Sequence, residues 1–400
     1  QTTKEWSEGS IGNDEAKDVS GHYENQHGIH WILCALLIVG EMAGGGLVAL
    51  PSSMVDAGVY AGVALAIISC IASGYTGIQL GDNWIIMQQR WPQYRHGCRK
   101  PYPEMASRSM GRIGNIFMLV IIAVQQYCLA VVFLLLAANN ISSIIFTLAN
   151  TQFNFCYIAL IIACVLLPFL MLGSPKDFWQ VGVIATCSTT IAIILIFIGA
   201  ANDQEKCMEE VYYPPVQFEK FFLAYGTIMF AYGGHSCFPT FQHDMRKPYE
   251  FSKSVILAYC IVMAMYLPIS VYGYIVYGGS LQGGTITPSI QLNWVQIAVN
   301  ILITIHVMFT QIIIISPLNL TFEELFGIPD KFGIRRVILR IVTMALIVLM
   351  ALTVPKFGPI LDLIGGTTIT LMTMILPGVF SICLTAGKRK RNLNLICTLT

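Results

Sequence analysis

Long apolar runs separated by short polar stretches set the pattern of this chain. An α-helix needs about 18 to 20 apolar residues to cross the hydrocarbon of a bilayer. Runs of that kind fall at 29–57, 59–87, 113–138, 155–172 and 178–198, and then at 221–241, 252–277, 294–318, 337–354 and 360–384. The pattern therefore predicts an all-α polytopic membrane protein with ten helices. A further run begins near Leu393 and stops at Thr400, so an eleventh helix is expected to be missing or truncated. Residues 1–28 are mostly polar and no basic stretch leads into the first run, which argues for a short tail rather than a signal peptide.

Charge gives the ten helices a direction. With the N-terminus in the cytoplasm, all of the 23 lysines and arginines except Lys206, Lys220 and Lys356 fall in the tail or in inner loops, as the preference of basic loops for the cytoplasm requires. Asp203, Glu205, Glu209 and Glu210 mark an acidic outer stretch.

Composition agrees: 55% of residues are hydrophobic and 11% charged, with a mean hydropathy of +0.67, against about 25% charged in soluble domains. A net charge of +1 points to no nucleic acid. Most of the twelve cysteines, such as Cys34, Cys70, Cys128 and Cys164, lie inside apolar runs, and no zinc-type spacing occurs. No metalloprotease helix, nucleophile elbow or phosphate loop is present, which argues against an enzyme. Nor is there a charged ring or filter repeat of the kind a channel needs.

The first and sixth runs share a motif. Gly45-Gly46 is followed, after four intervening residues, by Pro51, and Gly233-Gly234 likewise by Pro239. Glycine pairs followed by proline weaken a helix, and unpaired backbone at membrane depth is tolerated where it lines a cavity or is buried in protein. Each motif opens a group of five helices, and five being odd, the groups run in opposite senses. This predicts a 5+5 inverted repeat over 29–200 and 201–385 with helices one and six broken, followed by a cytoplasmic basic segment at 386–400. The plainer reading of each glycine pair is a close helix contact.

Further residues carry a resemblance. Phe230-Ala231-Tyr232-Gly233-Gly234-His235, then Gln242-His243-Asp244-Met245, Pro248 and Phe251, together with Gly44 to Pro51, Ile364-Gly365-Gly366 and Pro377, resemble the amino acid/auxin permease family. The resemblance covers about 29–384. It implies the LeuT-type inverted-repeat fold of the amino acid–polyamine–organocation superfamily and an amino-acid substrate. The absent or cut eleventh helix and the acidic Glu41 depart from the family's pattern.

Candidate site residues follow. Gly44, Gly45, Gly46, Ala231, Tyr232, Gly233 and Gly234 are expected at the substrate, where freed amides suit a carboxylate and freed carbonyls an ammonium or cation. Gln125, Gln126 and Tyr127 are polar at midplane depth in helix three. Gln126 and Tyr127 are taken as substrate contacts, the alternative being contacts between helices. Glu41 lies where a carboxylate costs about 2.5 to 3.5 kcal/mol on insertion scales; it either carries the coupling proton, or faces an inner vestibule or pairs with a neighbouring polar group. His235 either titrates or donates to unwound backbone. His306 and Thr310 share a face of helix eight, and Thr310 resembles a hydroxyl that sodium-coupled relatives aim at an ion; a bond to its own helix is the alternative. Asp244, Arg246 and Lys247 either close an inner gate or form a solvated loop. Cys156 and Cys207 are candidates for an outer disulfide, and Asn140 for glycosylation.

These expectations converge on a secondary active amino-acid carrier, of neutral substrates and with proton favoured over sodium. It would use no cofactor beyond the coupling ion and act as a monomer in the plasma membrane or in a vacuolar, lysosomal or vesicular one. The alternative is a membrane sensor that binds amino acids with little flux.

Overall fold

The computed structural model describes residues 23–26, 28–95, 98, 100–171, 179–329 and 333–386. Most of the expected tail, the basic segment from 387 onward, Lys176 and Lys331 lie outside the described residues.

Each apolar run coincides with a helix or with two helices in succession. The first run gives α1 (Trp31–Met42) and α2 (Gly45–Ala57), and the second α3 (Val59–Arg90). Next come α4 (Pro101–Ala149), α5 (Phe155–Met171) and α6 (Trp179–Glu210). The sixth run gives α7 (Phe218–Ala231) and α8 (Phe238–His243), and α9 (Phe251–Tyr277), α10 (Asn293–Leu325) and α11 (Ile334–Thr353) follow. The last run holds α12 (Phe357–Ile364), continued through π-helical turns at Gly365–Ile369 and Leu371–Ile375.

Among the described residues, seven helices are long and apolar enough to cross a membrane singly, and α1 with α2, bent by 56°, makes an eighth. The chain is an integral, multi-pass, all-α membrane protein. Its outer surface carries large apolar side chains, such as Ile68, Ile71 and Tyr75 on α3 and Ile113 and Ile116 on α4. The buried polar residues, including Ser73, Gln125, Thr189, Asn300 and Gln311, turn inward, as a lipid solvent requires.

Several helices outrun their apolar stretches, because hydropathy marks only the segment in hydrocarbon while the backbone bonds of a helix persist into water. Thus α6 continues to Glu210, past the expected boundary at 200. Helix α4 bends at Gly111, with φ 73° and ψ −160°, and runs on to Ala149. Asn140 therefore lies within α4 at 3% exposure, too enclosed for a sugar, and the glycosylation candidate is withdrawn. The disulfide candidate fails as well: Cys156 and Cys207 are both free thiols. Helix α5 packs on α4, α10 and α11, while α6 packs on α1, α9 and α10.

The helix ends that carry basic residues meet on one face. Lys100 pairs with Glu324, the Cys98 amide donates to His243 Nε2 at 3.3 Å, and Glu323 accepts from Arg336 Nε at 2.9 Å and Arg340 Nε at 2.7 Å. On the same face an extended stretch before α1 joins the end of helix six. Asn25 N donates to Arg246 O at 2.9 Å, Ile29 N to Asp244 O at 2.9 Å and Arg246 N to Ile29 O at 2.8 Å. Glu24 adds contacts with Tyr249 at 2.9 Å and Lys247 at 3.4 Å. Gly28 is required there, since a Cβ would lie 2.6 Å from Arg246 Cα.

Candidate transport site

The break in helix one is local. The amide of Ala43 still reaches Val39 O, but Gly44 leaves the helical region at φ −101° and ψ −124°, and α2 restarts at Gly45. Among the described residues the amides of Gly45 and Gly46 have no backbone partner, and they open α2 at the positive end of its dipole. In helix six, α7 ends at Ala231, residues 232–237 form turns, and Pro239 stands in the first turn of α8, where a missing amide costs little.

The two breaks lie side by side, because α2 packs on α7 with Gly46 against Ala231. A small, partly open cavity sits between them. Helix one supplies Glu41, Met42, Gly44 and Gly45, and helix six Phe230 and Gly233. Gln125, Leu129 and Phe133 come from one face of α4 at four-residue spacing. Ile314 of α10 and Ile369 of the π-helical turn complete the wall; π turns recur at functional sites because they re-aim side chains.

The polar groups of this wall are few. Glu41 Oε1 accepts from Cys237 Sγ at 3.4 Å, tying one break to the other. Gln125 is 4% exposed and its Oε1 has no partner. Both freed helix ends are capped from α9: Tyr266 donates to Met42 O at 2.6 Å and Tyr259 to Tyr232 O at 3.1 Å.

Of the residues singled out from sequence, Glu41, Gly44, Gly45 and Gly233 line the cavity. Gly46 and Ala231 form the helix crossing instead, and Gly234 packs on Met42 and Phe238. The Tyr232 ring turns away to Tyr259 and Tyr266, with centroids at 6.5 and 5.6 Å. Tyr127 points toward α11 and donates to Leu346 O at 2.8 Å, while Gln125 rather than Gln126 lines the cavity. His235 Nε2 lies 3.2 Å from Ser73 O and 3.2 Å from Thr76 Oγ1, joining the second break to α3.

His306 backs the first break. Its Nδ1 lies 3.1 Å from Ala185 O and 2.9 Å from Thr189 Oγ1, whose own hydrogen goes to Ala185 O. That network assigns the proton to Nδ1 and leaves Nε2 a bare acceptor. A Cβ on Gly44 would come 2.8 Å from that nitrogen. Thr310 donates to His306 O at 2.9 Å, within its own helix. The residues not singled out from sequence are Met42, Leu129, Phe133, Phe230, Ile314 and Ile369 on the wall, and Tyr259 and Tyr266 behind it.

The family model described as "Transmembrane amino acid transporter protein" matches residues 27–399. The chain belongs to that family. Amino acid transporter AVT1B of Arabidopsis thaliana is 26% identical over 352 residues, covering 85% of this chain and 62% of that protein. Amino acid transporter AVT1C of the same plant is 24% identical over 375 residues, covering 90% and 64%. The chain thus spans a little under two thirds of the length of these relatives. Among solved structures, MhsT in complex with L-phenylalanine superposes with a TM-score of 0.53, over 90% of this chain and 96% of that one, at 11% identity. The likeness shows the fold, which is of the LeuT type.

Proposed function

We propose that the chain is a secondary active carrier of neutral amino acids, working by alternating access and driven by protons rather than sodium. The observation that carries this reading is a single cavity touching both helix breaks, with one carboxylate, Glu41, on its wall. The relatives are named amino acid transporters, and the structural neighbour was solved with an amino acid.

Each end of a zwitterion has a counterpart. The amide of Gly45, at the start of α2 and on the cavity wall, suits the carboxylate. Gln125 Oε1 and Glu41 suit the ammonium, and Leu129, Phe133, Phe230, Ile314 and Ile369 offer an apolar subsite to a neutral side chain. A basic partner for an acidic side chain is absent from that wall.

Glu41 takes the role of proton carrier, because a carboxyl is the group of this cavity that changes charge on protonation. His235 and His306, bound to the backbones of α3 and α6, support the two breaks, and the Thr310 hydroxyl bonds within its own helix. The charge bias supports a cytoplasmic basic face, and in this reading the main-chain contacts of Asn25 and Ile29 with Asp244 and Arg246 close the inner exit. The carrier acts as a monomer and needs no cofactor other than its coupling ion.

Reconstitution into liposomes tests this directly. Uptake of neutral amino acids is expected under an inward proton gradient with sodium absent, and Glu41→Gln is expected to lower proton-driven uptake more than exchange. Binding without uptake or counterflow would refute the carrier and favour a sensor. Uptake that requires sodium would refute the coupling, and equal loss of both activities in Glu41→Gln would give Glu41 a structural role.

A further inference from the structure

Two tyrosines on α9 reach both breaks. Tyr259 and Tyr266 stand seven residues apart, on one face of the helix and about 10.5 Å along it, and they are 5% and 1% exposed. Tyr266 donates to the carbonyl of Met42, the last residue of α1, and Tyr259 to that of Tyr232, the first residue past α7.

Carbonyls at the end of a helix lack their intrahelical donor and carry the negative end of its dipole. Beside a cavity that admits an ammonium group, such carbonyls are natural ligands for it. Here the phenol hydroxyls lie on both. The Met42 carbonyl has one further donor, the Gly44 amide at 2.9 Å. The Tyr232 ring stands between the two tyrosines and packs on each, so a column of three rings links the breaks. The capped carbonyls adjoin the cavity wall in sequence: Met42 and its neighbours Glu41 and Gly44 line it, and so does Gly233, the residue after Tyr232.

We propose that Tyr259 and Tyr266 are positioning residues of the transport site, capping both half-helix ends so that these carbonyls neither compete for the substrate's ammonium nor let the cavity wall relax. This rests on the carrier reading above. It assigns ammonium recognition to Gln125 and Glu41, and it makes the two breaks keep one relative geometry.

The test is Tyr259→Phe, Tyr266→Phe and the double variant in the full chain, reconstituted. Phenylalanine keeps the ring column and removes only the hydroxyl. KM and turnover for uptake are read beside the thermal shift that the same amino acid produces. Tyr259→Phe leaves the Tyr232 carbonyl without its hydroxyl donor, a loss that corresponds to about a fivefold effect or more, whereas the Met42 carbonyl keeps the Gly44 amide; Tyr259→Phe is therefore expected to raise KM at least about fivefold and Tyr266→Phe by less, with turnover and folded yield near wild type. Unchanged KM would overturn the proposal, and so would reduced folded yield with unchanged KM in the surviving carrier. A lowered KM would overturn it too, by showing that the freed carbonyls themselves bind the ammonium. Should Tyr266→Phe give no folded carrier, Tyr259→Phe, whose hydrogen bond is longer, carries the same test. A wild-type protein that neither binds nor takes up any amino acid would overturn the carrier reading, and this inference with it.

Discussion

Gly46 is the point at which the two broken spans touch, and adding one methyl group there is a measurable perturbation. A Cβ on Gly46 would lie 2.6 Å from Ala231 Cα, 2.8 Å from its Cβ and 3.2 Å from its nitrogen. Ordinary carbon contacts fall at about 3.5–4.0 Å, so the crossing of α2 and α7 must open by roughly 1 Å. None of those atoms ends a flexible side chain, and relief has to come from the backbone. Overpacking of this kind costs about 1–3 kcal/mol, while alanine over glycine in a helix returns at most about 1 kcal/mol. Gly46→Ala is therefore expected to lose about 1–2 kcal/mol and to raise KM, since the crossing adjoins Gly45 and Phe230 on the cavity wall. Gly45→Ala is the control: its nearest neighbour would be Leu136 at 3.4 Å, an ordinary contact. Ala231→Gly in the Gly46→Ala background removes the 2.8 Å contact but leaves the one at 2.6 Å, so recovery is partial. Thermal midpoints in detergent, measured beside uptake kinetics, decide the matter. A Gly46→Ala carrier as stable as wild type, or a Gly45→Ala carrier less stable than it, would refute the argument.

Two further outcomes follow from groups on the basic face. Glu323, 2% exposed, accepts from both Arg336 and Arg340, and breaking a buried pair costs about 3–5 kcal/mol; Glu323→Gln is expected to lower the thermal midpoint while leaving KM unchanged, and an unmoved midpoint would count against it. Burial pushes the Cys98 thiol up to about 11, so at pH 8 only about one in 10³ is thiolate. Maleimide labelling followed by mass spectrometry should find Cys98 slow beside the exposed Cys156 and about tenfold faster per pH unit up to pH 10, whereas equal rates at pH 7 would contradict the burial.

The spans were legible because hydrocarbon demands long apolar runs, and the breaks because Gly-Gly before proline is a poor helix wherever it occurs. Glu41 stood out for the same reason, as a charge where charge is costly. Helix rotation was harder to read. Gln125 and Gln126 differ by 100° about α4, and which one meets the cavity depends on how α4 packs on α10, which no local pattern encodes. Asn140 misled because hydropathy ends where lipid ends, whereas α4 continues. Tyr259 and Tyr266 gave no signal, since tyrosines in an apolar helix look alike until their acceptors, the Met42 and Tyr232 carbonyls, are placed opposite them. The glycines divided by partner: Gly44 and Gly45 line the cavity, while Gly46 faces Ala231.

Asn25 and Ile29 join the end of helix six through main-chain atoms, and main-chain atoms are indifferent to the side chains they bear. Their letters can therefore drift while the latch persists. A substitution map of these residues would read as nearly silent, with a signal at Gly28, where there is no room, and with proline at 25 or 29, where a donor would vanish. The closure at the basic face is written in chain geometry rather than in residue identity, and scanning by alanine would pass over it.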